Sequence, residues 1–145
     1  FQANYFFNCP NEPACGAAFD KLMKSQEIAK ENFEATLMRV SHAGSSGITH
    51  SAQFYYKSAA RYQRAGEIFS NSQAFAEFGQ AMAAAGAQPV YNNLTSYLIA
   101  EGDGRKSTAG VTFVANVNNP AVYGPAFAKM AKKMFEEPFG GNSYV

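Results

Sequence analysis

Two cysteines, Cys9 and Cys15, are the only ones in the chain, and they bracket the turn-forming insert Pro10-Asn11-Glu12-Pro13-Ala14. A loop this short can bring two β-carbons within bonding reach, so an intramolecular disulfide is the expected pairing, with a bridge between chains as its rival. The spacing excludes a Cys-x-x-Cys redox motif, and four-coordinate zinc would need ligands that do not cluster here. Ahead of the pair runs an aromatic segment, Phe1-Gln2-Ala3-Asn4-Tyr5-Phe6-Phe7. A chain that starts at Phe and carries a lone cysteine pair reads as the processed product of an oxidising, extracellular compartment. Residues 1–15 are therefore expected to form a disulfide-clipped arm, in which Phe1, Tyr5, Phe6 and Phe7 dock on the chain's own core or on a neighbouring copy.

With 145 residues, 47% of them hydrophobic, the chain has the apolar content for one buried core. Only 16% are charged and the net charge is +1, with no run of Lys or Arg. That balance offers no electrostatic footprint for nucleic acid. No apolar stretch reaches the roughly 20 residues needed to span a bilayer. A net charge so close to zero also lowers the repulsion between copies and permits self-association.

Apolar positions recur at helical spacing from Cys15 to His42 (Phe19, Leu22, Met23, Ala29, Phe33, Leu37, Val40), which predicts an amphipathic helix. A second helix, capped by Thr49 or Ser51, is predicted through Ala52, Tyr55, Ala59, Tyr62, Ala65 and Phe69. Ser70-Asn71-Ser72-Gln73 predicts a kink or break, and helix resumes through Phe75, Phe78 and Met82 until Gly86 stops it. Pro89 suits the first turn of a further helix through Tyr91, Leu94 and Leu98, and Pro125 the start of a last one carrying Phe127, Met130, Met134 and Phe135. Between these lies a long loop near 102–124, in which the β-branched stretch Val111–Val117 is a short strand, irregular or a short helical piece; 140–145 is a surface tail. The expected fold is a single all-α domain, 1–145, built as a bundle of four to five helices.

Candidate chemistry is sparse. His42 and His50 flank the Gly44–Gly47 break, but two imidazoles need a third ligand to hold zinc or copper, so they are weak metal candidates. Ser41, Ser45 and Ser46 lack an orienting carboxylate, and no catalytic constellation is expected. Gly102-Asp103-Gly104-Arg105-Lys106 fails the phosphate-loop pattern in order and context. Asn93-Leu94-Thr95 is a sequon, making Asn93 a candidate glycosylation site. Tyr55, Tyr56 and Tyr62 are candidate ligand or subunit contacts, because adjacent residues on a helix cannot both enter one core.

No cofactor is expected. The chain reads as an exported, non-catalytic subunit that assembles with copies of itself into an extracellular filament, coat or matrix. The alternative is a secreted helical carrier that encloses an apolar small molecule or pigment among its aromatic residues.

Overall fold

The computed structural model describes residues 1–44, 46–98, 112–113 and 115–136. Its elements run β1 (Gln2–Asn8), α1 (Glu12–Lys24), α2 (Gln26–Ala29), β2 (Glu34–Arg39), β3 (His50–Tyr55), α3 (Ala59–Asn71), α4 (Gln73–Ala84), β4 (Gln88–Thr95) and α5 (Pro120–Glu136). The strands form one antiparallel sheet in the order β2-β3-β1-β4. This β-α-β-β-α-β succession has the split β-α-β form of ferredoxin-like domains, an architecture that assigns no function by itself. The all-α bundle is thereby corrected, and so is the N-terminal arm expected at 1–15: Gln2–Asn8 form β1, a central strand bonded on both sides, and Glu12–Cys15 open α1.

Side-chain alternation explains both the strands and the failure of the helical expectation. Ala3 pairs with Phe54, Tyr5 with Ala52 and Phe7 with His50, which places these six residues on one face of the sheet. On that face Ala3, Phe7, Ala52 and Phe54 join Cys9, Cys15, Tyr56, Ala65 and Ala85 in the core, with Phe19, Phe33, Tyr62, Phe69 and Met82 packed around them. The opposite face carries Gln2, Asn4 and Phe6 from β1 and Ser51, Gln53 and Tyr55 from β3. Phe6 and Phe7, like Tyr55 and Tyr56, are therefore neighbours in sequence that point to opposite sides. Within the predicted first helix, Glu34–Arg39 likewise forms β2, with Ala35 and Leu37 turned towards the core.

The helices stop and start by local chemistry. The Asn11 side chain accepts the Ala14 N–H at the N-terminus of α1, and Cys15, Ala18 and Leu22 form that helix's buried stripe. Ser58 caps α3, whereas Thr49 and Ser51 lie before and within β3. The expected break at Ser70–Gln73 is present: Ser72 ends α3 and caps α4, accepting the Phe75 N–H at 3.1 Å while donating to Glu27 Oε2 at 2.5 Å. Gly86 stops α4 as expected, with φ of 76° and its N–H on the Ala83 carbonyl. Pro89 opens no helix; it lies on β4, at the shift in register against β1.

Two compact units are present, Phe1–Ser96 and Tyr97–Val145. The sheet and α1 to α4 make up the first, with α1 packed on α4. In the second, α5 begins at Pro120 and runs through Pro125, earlier than the sequence implied. The described part of Val111–Val117 is neither helix nor strand. The turn at 102–106 and the tail at 140–145 lie outside the described residues.

Candidate functional site

Cys9 and Cys15 are bonded to each other and buried. The bridge ties the end of β1 to the first turn of α1, and a polar network surrounds it. Thr49 Oγ1 accepts the Cys9 N–H at 2.8 Å and lies 2.8 Å from His50 Nδ1. His50 Nε2 faces Glu12 Oε2 at 3.8 Å, and Glu12 in turn holds the Arg39 guanidinium. His50 is buried and stacked on Phe7, so both of its ring nitrogens are directed at protein groups rather than at a vacant ligand position. His42 is exposed in the loop after β2, and no cluster of three or more metal-ligating side chains occurs among the described residues. This network secures the disulfide loop to the β2 and β3 ends of the sheet.

The tyrosines divide between the two faces. Tyr56 is in the core with Tyr62 edge-on at 5.4 Å, and burial, then the neighbouring Tyr5 and Tyr62 hydroxyls, pushes its ionisation well above the ordinary range, against a smaller opposing effect from Arg61. Tyr55, on the other face, donates to Gln53 Oε1 at 2.8 Å. Of the expected arm residues, Phe7 is core, Tyr5 meets Phe54 edge-on at 6.0 Å, and Phe6 stacks on Tyr91 at 4.4 Å. The Phe1 ammonium donates to the Tyr56 carbonyl.

β4 is one of the two sheet edges of this unit, and the one without charged side chains. All eight of its residues are exposed, including Val90 (44%), Tyr91 (44%) and Leu94 (46%). Among the described residues it is an edge strand, bonded to β1 on one side only. The direction of its backbone groups follows from the other end of the sheet. Phe1 and Tyr56 exchange both N–H to carbonyl bonds, so in β1 the odd residues face β3 and Gln2, Asn4 and Phe6 face β4. Their partners Thr95, Asn93 and Tyr91 use up their own backbone groups on β1. Asn92 and Leu94 consequently turn theirs to the outer edge, while Val90 is the extra residue of a bulge that interrupts the alternation.

Pro89 and the bulge at Val90 blunt only the N-terminal end of β4. The strand carries no charge, and none occurs between Glu77 and Glu101. Asn93, the sequon residue, has its Oδ1 engaged by the Asn4 Nδ2 at 2.7 Å, and Asn4 accepts from Gln2 Nε2 at 2.5 Å. This amide chain locks β4 to β1 and leaves the outer edge untouched. Sequence reasoning missed the edge by assigning these residues to a helix; the usable signal was the long uncharged run with Pro89 and paired asparagines, which suits an edge strand better than a helix interior.

No protein-family model, curated protein or solved structure matches the chain. Among the described residues, no helix is long and apolar enough to cross a membrane.

Proposed function

We propose that this chain is a non-catalytic, exported structural subunit that assembles with copies of itself in an oxidising extracellular setting. The observation that carries this reading is β4, an eight-residue, uncharged edge strand exposed along its length and bearing apolar side chains. Such an edge is a template for another strand, and soluble proteins ordinarily blunt it with charge, cover, brevity, Pro or a bulge; β4 has the last two at its N-terminal end and no charge along its length. The disulfide is compatible with an oxidising compartment and supports export. Within Phe1–Ser96 seven basic residues balance seven acidic ones, so approach of two such units meets no net repulsion.

The carrier alternative needs space among the core aromatics. Those rings instead pack on one another: Phe54 meets Phe19 at 6.1 Å and Phe69 at 5.6 Å, and Phe69 meets Phe33 at 5.2 Å and Phe75 at 4.8 Å. Assembly is therefore the better-supported role. Light scattering on the oxidised chain from micromolar to millimolar concentration tests it. The expected result is a mass that rises with concentration; a constant monomer mass across that range overturns the proposal.

A further inference from the structure

We propose that Asn93 carries an N-linked oligosaccharide, which stands on the face of the sheet opposite the core. This rests on the export part of the reading above and not on self-association.

Asn93-Leu94-Thr95 is the one N-x-[ST] sequon in the chain, and its middle residue is not Pro. Pairing with β1 gives the motif a geometry. Tyr91, Asn93 and Thr95 oppose Phe6, Asn4 and Gln2, so all three stand in a row on the face remote from the core. Asn93 is exposed. Its amide is also oriented: Oδ1 accepts from Asn4 Nδ2 at 2.7 Å, which turns the Asn93 Nδ2 away from β1, and among the described residues nothing accepts from it. Nδ2 is the atom that glycosylation uses. A sugar there replaces one amide hydrogen and leaves the Oδ1 bond and the backbone bonds to β1 in place, so the sheet keeps its packing. The outward backbone groups of Asn92 and Leu94 are not among the atoms it replaces.

The transfer is a substitution at an anomeric carbon. Nδ2 bonds to C1 of the first sugar of a lipid-pyrophosphate-linked oligosaccharide, and the bond from C1 to the phosphate oxygen breaks. The lipid pyrophosphate leaves with the electron pair, and the amide gives one proton to a base of the transferase. The hydroxyl two residues on makes the sequon an acceptor. In the folded chain that hydroxyl, Thr95 Oγ1, donates to the Gln2 carbonyl at 3.2 Å. Both sequon side chains are thus free of β1 only before the two strands pair, which places the transfer ahead of sheet closure. After folding, the first sugar lies beside Tyr91, whose ring is stacked on Phe6 on one side and remains 44% exposed. The apolar face of the sugar is expected to rest on that ring.

Peptide mapping of the mature protein from its source, digested without reduction, tests the site. The expected result is an Asn93 glycopeptide that peptide-N-glycosidase in heavy-oxygen water converts to labelled Asp, beside an intact Cys9–Cys15 bridge. An unmodified Asn93 with the bridge intact overturns the glycosylation and leaves export standing; an unmodified Asn93 with both thiols free ends both. In a eukaryotic secreting host, Asn93→Gln and Thr95→Ala are expected to remove the added mass and Thr95→Ser to keep it. Ala43→Asn in the Asn93→Gln background, which makes a sequon at 43–45, is the control. If the control is modified while the parent chain is not, β4 presents no acceptor and the proposal fails. Tyr91→Ser is expected to keep the glycan and to lose at least half of the rise in thermal midpoint that the glycan confers; an unchanged rise removes the Tyr91 contact.

Discussion

β2 and β4 are the two edges of one sheet, and their chemistry differs. β2 spans Glu34–Arg39, with a carboxylate at one end and, at the other, a guanidinium held by Glu12; several of its residues are half-buried. β4 spans Gln88–Thr95, carries no charge and is exposed along its whole length. Both leave main-chain groups unpaired by the sheet, yet only β2 carries charged side chains that a paired strand would desolvate. On the proposed reading, self-association falls at one edge of the fold and not over its surface at large.

The strongest way to break this contrast is to make the edges alike. Leu94→Lys gives β4 the protection of β2, and at least a tenfold loss of self-association is expected by sedimentation velocity. Thr36→Lys on β2 is expected to leave association unchanged. The reverse exchange, Glu34→Val, removes a guarding charge from β2 and is expected to produce larger species than the parent chain forms in the same experiment.

Stability changes sharpen the comparison by showing that the edges act independently of the core. Cys9→Ser with Cys15→Ser releases the end of β1 from α1, and the short loop predicts a loss of about 2 kcal/mol in urea unfolding. Molecules that remain folded are expected to associate as before. Gly86→Ala, at the turn leading into β4, combines a φ of 76° with a Cβ only 3.2 Å from Pro10 Cγ. A loss of roughly 1 kcal/mol is expected, since Ala is strained where φ is positive.

The smallest expected effect is alkaline. Tyr56 holds its proton more tightly folded than unfolded, because burial and the adjacent tyrosines disfavour the phenolate. Above the ordinary tyrosine value near 10 the unfolded chain loses this proton first, so stability falls as pH rises past that point. Tyr56→Phe is expected to flatten the decline in thermal midpoint between about pH 10 and 11, and an unchanged slope would assign the decline to other groups.

Much of the local punctuation was legible in the sequence. The Cys9–Cys15 loop, the break at Ser70–Gln73 and the stop at Gly86 each rest on residues whose conformational preference is strong and short-ranged. The sheet was not, for a physical reason visible at Phe6-Phe7 and Tyr55-Tyr56. Aromatic residues occupy both faces of the central strands, so the apolar-polar alternation that marks a half-buried strand is blurred. In a short window those residues, with Ala52 and Ala59, also fit a helical stripe. β4 was hidden by its lack of cover: with no buried face, it shows no periodicity, and its strand character comes from pairing with β1. The β4 edge was thus invisible at the point where its open chemistry is most relevant. Asn93 was found as a sequon, but its amide partner Asn4 is distant in sequence and became apparent only once β1 and β4 were paired.

Amide hydrogen exchange, followed residue by residue as a function of protein concentration, tests the central claim most directly. The amides of Asn92 and Leu94 are expected to exchange freely in dilute solution and to become at least tenfold slower when concentrated. Those of Tyr91 and Asn93, already bonded to β1, should stay protected throughout. Exchange at Asn92 and Leu94 that is independent of concentration would contradict pairing through β4.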